Sequence, residues 1–175
     1  MFCRSTRSSI FHSCRFFSTL PNRAVVYARN GNPSEVLSII DYPRTKPPPP
    51  RTVNIRYLLS PINPADINVV EGVYPSKPSL VSCLATSGKG SPEEPVFIGG
   101  NEGLAEVVRI GDGVTGLQEG DWVIMKKQQA GTWCTEKNVQ VDDVLRLPDA
   151  QHLTQVQAAT ITVCNTMHIT IVTSY

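Results

Sequence analysis

The chain has 175 residues, of which 41% are hydrophobic and 18% charged, with a formal net charge of +1. That length allows one domain with a proper core and is short for two of ordinary size. The near-neutral charge and the lack of a basic patch interleaved with aromatics argue against a nucleic-acid partner. No apolar run approaches the ~20 residues of a membrane-spanning helix.

The charge is unevenly placed. Residues 1–34 hold Arg4, Arg7, Arg15, Arg23 and Arg29, and the first carboxylate is Glu35. The opening twenty residues also carry five serines, two threonines and a scatter of Phe, Ile and Leu. Arg-rich, Ser-rich and acid-poor is the composition of a mitochondrial transit peptide. Residues 1–21 are therefore expected to direct import into the matrix, with Arg15-Phe16-Phe17-Ser18 as a processing region. Cys3 and Cys14 fall in this leader. Cys83, Cys134 and Cys164 remain, an odd number without a C-x-x-C pair, so neither a disulfide framework nor a zinc ribbon is indicated. Free thiols suit a reducing compartment.

In chain order, Ala24 to Ala28 reads as a short strand closed by the turn Asn30-Gly31-Asn32-Pro33, and Val36 to Ile40 as a second apolar run closed by Asp41-Tyr42-Pro43. Pro47 to Pro50 form a stiff extended connector. Thr52 to Leu59 alternates Val53, Ile55, Tyr57 and Leu59, the period of a half-buried strand. Asn63-Pro64 breaks it, because proline offers no N–H to a ladder, and a short turn or helical piece carries Asp66 and Asn68. Tyr74 follows between Gly72 and Pro75, on a segment too rich in Pro and Gly for regular structure. Ser79 to Pro95 is a polar loop. Further strands are expected at Leu104 to Ile110, Trp122 to Met125, Trp133 to Val141 and Val144 to Pro148. Leu153 to Ala159 opens a helix with Asp149 or Thr154 as cap. Many short strands punctuated by Gly and Pro point to a mainly β barrel or sandwich with short helices.

Gly111-Asp112-Gly113-Val114-Thr115-Gly116 matches the G-x-G-x-x-G pattern of dinucleotide sites. Such a site needs the last glycine to open a helix whose N-terminus receives the pyrophosphate. Here Leu117-Gln118-Glu119-Gly120-Asp121 leads straight to the next strand, so a loop between antiparallel strands is expected instead.

The order strand, Asn63-Pro64-Ala65-Asp66-Ile67-Asn68, Gly72-Val73-Tyr74-Pro75-Ser76-Lys77-Pro78, loop, Gly99-Gly100-Asn101-Glu102-Gly103, strand, Gly120-Asp121-Trp122-Val123 resembles the GroES-like N-terminal domain of medium-chain dehydrogenases/reductases. It is most similar to the mitochondrial trans-2-enoyl-thioester (enoyl-acyl-carrier-protein) reductases. The resemblance runs from Arg23 to Val163. It implies NADPH-dependent reduction of an enoyl-acyl-carrier-protein or enoyl-CoA in fatty-acid synthesis, with Tyr74 as the proton donor and Asn63 and Asp66 beside the nicotinamide. Zinc alcohol dehydrogenases carry a Cys where this chain has Asn63 and a His where it has Asn101, so the resemblance implies no metal. The resemblance also allows a family-type homodimer, for which the sequence itself gives no support. Asn63 and Asp66 also have a purely structural reading, as turn opener and helix cap.

In that family a nucleotide-binding domain follows. Residues 22–163 are expected to form the GroES-like domain. Residues 164–175 form a tail that departs from the family at Cys164, where relatives have an asparagine, and the nucleotide-binding domain is expected to be absent from this chain. The 175 residues alone are then expected to show little or no catalysis. A non-catalytic partner domain and a zinc-independent quinone oxidoreductase are the rival readings.

Overall fold

A computed structural model of the chain describes residues 21–75, 78, 95–148 and 152–162. The leader up to Leu20, Ser76 and Lys77, most of the Ser79–Pro95 loop, Asp149 and the tail from Val163 lie outside the described residues.

Two antiparallel sheets make up the body. Strands β1 (Asn22–Tyr27), β2 (Ser38–Tyr42) and β4 (Phe97–Ile98) form the smaller, in the order β2-β1-β4. Strands β3 (Thr52–Leu59), β5 (Leu104–Ile110), β6 (Trp122–Met125), β7 (Glu136–Gln140) and β8 (Val144–Arg146) form the larger, in the order β7-β3-β5-β6-β8. Among the described residues there are three short α-helices: α1 (Pro33–Val36) between β1 and β2, α2 (Pro64–Glu71) between β3 and β4, and α3 (Gln155–Ala159) after β8.

Strand β3 sits between β5 and β7, which is why its apolar alternation is so regular. Val53 and Ile55 are fully buried and pack with Val107, Val123 and Val139 in the core of the larger sheet. The other face of its first half is buried as well, contrary to the half-exposed strand the period suggests. The proline connector lies across it: Asn54 Nδ2 donates to the carbonyl of Lys46 at 2.8 Å, and Thr52 Oγ1 to that of Pro49 at 2.8 Å. Gly111 takes part in the same contact, since a Cβ there would stand 2.1 Å from the Pro49 oxygen. Gly111 to Gly116 then run into the loop between β5 and β6, which pair antiparallel.

The two sheets are tied by the segment before β7. Val25 N–H donates to the Trp133 carbonyl and Thr135 N–H to that of Arg23, both at 2.9 Å. The Tyr42 hydroxyl donates to the carbonyl of Glu136 and accepts from its N–H. These cross-links bend the chain at residues 133–135, so β7 starts at Glu136 rather than at Trp133 as the apolar pattern suggests. Other boundaries differ as well, β1 running from Asn22 to Tyr27 and β8 ending at Arg146. The apolar run at Val36 to Ile40 is split, Val36 closing the single turn α1 and the strand beginning at Ser38. Helix α3 is capped by Thr154, whose hydroxyl accepts from Gln157 N–H at 3.2 Å while Gln157 Oε1 accepts from Thr154 N–H at 2.9 Å. A third cluster, Leu104, Ile124, Leu147, Ala158 and Ala159, seats α3 on the larger sheet.

Candidate active site

Helix α2 follows from its own first four residues. Asn63 is the N-cap in extended conformation, Pro64 takes the first helical position, where a missing N–H costs nothing, and Asp66 stands third. One carboxylate oxygen of Asp66 accepts from the backbone N–H of Asn63 at 2.7 Å. The other accepts from the backbone N–H of Asn101 at 2.8 Å, in the loop between β4 and β5. Asp66 is only 2% exposed, and burial raises its pKa above the usual carboxylate value against the pull of these two N–H donors; the neighbouring Glu102 pushes the same way as burial.

Glu102 is the second acid of the site and is 3% exposed. Its Oε1 accepts from Asn63 Nδ2 at 2.9 Å, and its Oε2 from Thr162 Oγ1 at 2.6 Å. Its backbone carbonyl accepts from Thr132 Oγ1 at 2.7 Å. Asp66 thus fixes the backbone of Asn63, and Glu102 fixes its side chain. Glu102 and Thr162 were missed as site residues by sequence reasoning. Gly99-Gly100-Asn101-Glu102-Gly103 was a visible motif, but only the fold shows that the acid in it reaches Asn63.

The far end of α2 is fixed as firmly. Gly72 closes it in the left-handed region at φ 84, where a Cβ would meet the Asn30 side chain at 2.9 Å. Asn30 Nδ2 donates to the carbonyls of Val69 and Val70 at 3.0 and 3.1 Å, satisfying the end of the helix. The N–H groups of Val73 and Tyr74 both donate to the Asn68 carbonyl, at 3.0 and 3.2 Å. Tyr74 is therefore anchored through its backbone directly beyond the cap, with its side chain half-buried. Asn63 and Tyr74, close in sequence, stand at opposite ends of an eight-residue helix, which separates its ends by roughly 12 Å.

Behind α2 the packing is tight. The Trp133 indole covers Gly99 and Gly100; a Cβ at Gly99 would lie 2.2 Å from the ring, and one at Gly100, which has φ +98, would lie 2.3 Å from Thr132 Oγ1. A void of about 10 Å³ is lined by Tyr27, Asp66, Val70 and Asn101, roughly the room of a single water. The Tyr27 hydroxyl is buried without a hydrogen-bond partner among the described residues.

Residues 49–161 match the family of the alcohol dehydrogenase GroES-like domain. The chain belongs to that family. The GroES-like match encloses α2, both buried acids and Tyr74, and it extends to α3. The mitochondrial enoyl-[acyl-carrier-protein] reductase of Schizosaccharomyces pombe is 38% identical over 154 residues, covering 85% of this chain and 40% of the relative. The enzyme of the same name from Xenopus tropicalis is 37% identical over 139 residues, covering 79% of this chain and 35% of the relative. Among solved structures, the Etr1p complex with NADP and crotonyl-CoA superposes with a TM-score of 0.74 at 37% identity, over 82% of this chain and 41% of that one. The mitochondrial 2-enoyl thioester reductase Etr1p/Etr2p heterodimer from Candida tropicalis gives 0.73 at 38%, over 81% and 40%. The Escherichia coli quinone oxidoreductase, at 22% identity and 0.56, shares the fold. The chain spans about two fifths of the S. pombe relative's length, and the relatives' names place this branch of the GroES-like family in mitochondria.

Proposed function

We propose that the chain forms the proton-donating side of an NADPH-dependent enoyl-thioester reductase of the mitochondrial matrix, acting on a trans-2-enoyl-acyl-carrier-protein or enoyl-CoA. The observation that carries this reading is the double anchoring of α2: Asn63 is clamped at one end by Asp66 and Glu102, and Tyr74 at the other by the Asn68 carbonyl. The names of the relatives and the NADP and crotonyl-CoA held by the Etr1p structure support it.

Reduction of an enoyl thioester adds hydride to the β-carbon and a proton to the α-carbon. NADPH, when bound, supplies the hydride. The Tyr74 phenol supplies the proton, giving it up as negative charge builds on the thioester. A rigid mount matters here because a donor displaced by an ångström loses much of its effect. Asp66 gives each oxygen to one backbone N–H, so it positions Asn63 and Asn101 beside the nicotinamide.

The donor set near α2 fits the carboxamide end of a nicotinamide and not its phosphates. Two buried carboxylates, Asp66 and Glu102, repel phosphate, whereas the Asn63 amide can pair with another amide. The quinone oxidoreductase reading has the shared fold in its favour and nothing at α2 that singles it out.

The test is NADPH oxidation with trans-2-hexenoyl-CoA. It would be measured on the purified chain and on a chimera in which the chain replaces the matching N-terminal part of the S. pombe reductase. Enoyl-CoA-dependent turnover by the chimera supports the proposal. A folded chimera that binds NADPH and leaves the enoyl-CoA unreduced overturns it.

A further inference from the structure

Strand β7 is an edge of the larger sheet, paired only with β3 among the described strands. Along it, Lys137 pairs with the fully buried Ile55 and stands two residues before the buried Val139, so it shares their inward face. The lysine is itself half-buried, set at the margin of the core rather than within it. Its Nζ donates to the carbonyl of Ala130, and the Cys134 thiol donates to the carbonyl of the next residue, Gly131, at 3.4 Å. The loop that offers these carbonyls is held in shape by Gln129 at φ 55 and Gly131 at φ 68.

This amine also lines an open cleft. The cleft measures about 390 Å³ and is walled by Ile98, Met125, Lys127, Gln129, Lys137 and Asp143, among others. That is in the lower part of the size range of small-molecule sites, roughly 300–1,000 Å³. It is also far larger than the void behind α2.

We propose that Lys137 is an acylation site, at which its ε-amine takes the acyl group of a small acyl thioester that enters this cleft. The amine lone pair attacks the thioester carbonyl; the C–N bond forms and the C–S bond breaks. The thiol leaves with the proton released from nitrogen, and no oxidant or reductant is consumed. Naming thioesters as the electrophile rests on the function proposed above; the reactivity of the amine does not.

The surroundings favour the free amine. Burial lowers the Lys137 pKa below the ordinary lysine value, and the opposing influences are Cys134 and Asp143. Cys134 is itself buried, its thiol pushed up to about 11, so it competes poorly as the nucleophile. Asp143 is shared with Lys127, whose Nζ stands 3.5 Å from it. A desolvated lysine with part of its population uncharged is the usual form of a nucleophilic lysine. Lys127, on the wall of the same cleft, and its chain neighbour Lys126 provide internal references: Lys127 has an 82% exposed side chain, and Lys126 bonds the Asp142 carbonyl in an exposed setting.

The experiment is incubation of the 175-residue chain with acetyl-CoA at pH 7 and pH 8, with peptide mass spectrometry following Lys126, Lys127 and Lys137 separately. Lys137 is expected to acetylate at least about threefold faster than either neighbour, and the three rates are expected to converge in urea. The same series with the N-hydroxysuccinimide ester of acetic acid separates amine reactivity from thioester recognition. Equal or slower labelling of Lys137 by acetyl-CoA overturns the proposal, and leaves the lysine as a guard against edge-to-edge sheet pairing. So does an advantage that survives unfolding. Preference for Lys137 with the ester but not with acetyl-CoA overturns the thioester assignment. None of these outcomes depends on whether the chain reduces enoyl-CoA.

Discussion

The Asp66 carboxylate and the backbone N–H of Asn101 are 2.8 Å apart, and this bond joins helix α2 to the loop between β4 and β5. With the second oxygen on Asn63 N–H, one buried acid sets the relative position of both asparagines. Replacing it tests how much of the site depends on that single side chain. Asp66→Asn keeps the shape but offers one acceptor where two are needed, leaving an N–H unpaired; an unfolding free energy lower by about 1–3 kcal/mol is expected, read from urea denaturation.

The same residue predicts a pH dependence. Because burial raises its folded-state pKa, the folded protein holds this proton more tightly than the unfolded chain does. The corresponding stability is fully present below the ordinary carboxylate pKa and is lost as pH rises through the raised value. The stability advantage of the natural chain over Asp66→Asn should therefore grow as pH falls from 7 toward the ordinary carboxylate range. Denaturation curves for both proteins across that range check the sign; an advantage that shrinks on acidification would mean that the N–H donors outweigh burial.

Gly99 is required by the indole above it. With a Cβ 2.2 Å from the Trp133 ring and 2.7 Å from its next carbon, Gly99→Ala must displace Trp133 or the loop. Overpacking of this kind costs about 1–3 kcal/mol, and the tryptophan emission should shift with it. Gly113, whose Cβ would meet nothing within 4 Å, is the control for crowding in a glycine-to-alanine change, its positive φ of 74 being the one strain it carries.

The Tyr42 hydroxyl links the two sheets by serving both backbone groups of Glu136. Tyr42→Phe leaves those groups without this partner in a partly buried position, and a loss of about 1–2 kcal/mol is expected from thermal or urea unfolding. Tyr74→Phe should leave stability within about 0.5 kcal/mol, because Tyr74 is anchored by its backbone N–H, which the substitution retains.

The sequence made three strands of the larger sheet plain, and for a physical reason. Thr52–Leu59, Leu104–Ile110 and Trp122–Met125 were expected at their observed limits, because each carries its own apolar period against a core. The two-residue β4 has no period to read; Phe97 and Ile98 pair with Tyr27 and Val26 across the sheet. Helix α2 was visible only as a short turn or helical piece, since Asn63, Asp66 and Gly72 mark its ends but its eight residues show little amphipathic pattern. The site was legible to the extent that local chemistry wrote it. Asn63 as turn opener and Asp66 as a helix-capping acid could be read from residues three apart. Glu102 reaching Asn63 across 39 positions, and Thr162 reaching Glu102 across 60, could not.

The proposed proton transfer from Tyr74 in enoyl-thioester reduction is tested most directly by the Tyr74→Phe substitution in the chimera with the S. pombe reductase. The kcat with trans-2-hexenoyl-CoA is expected to fall about a hundredfold or more while the affinity for NADPH and the unfolding midpoint stay unchanged. A Tyr74→Phe chimera that reduces the enoyl-CoA at the parent rate would contradict it.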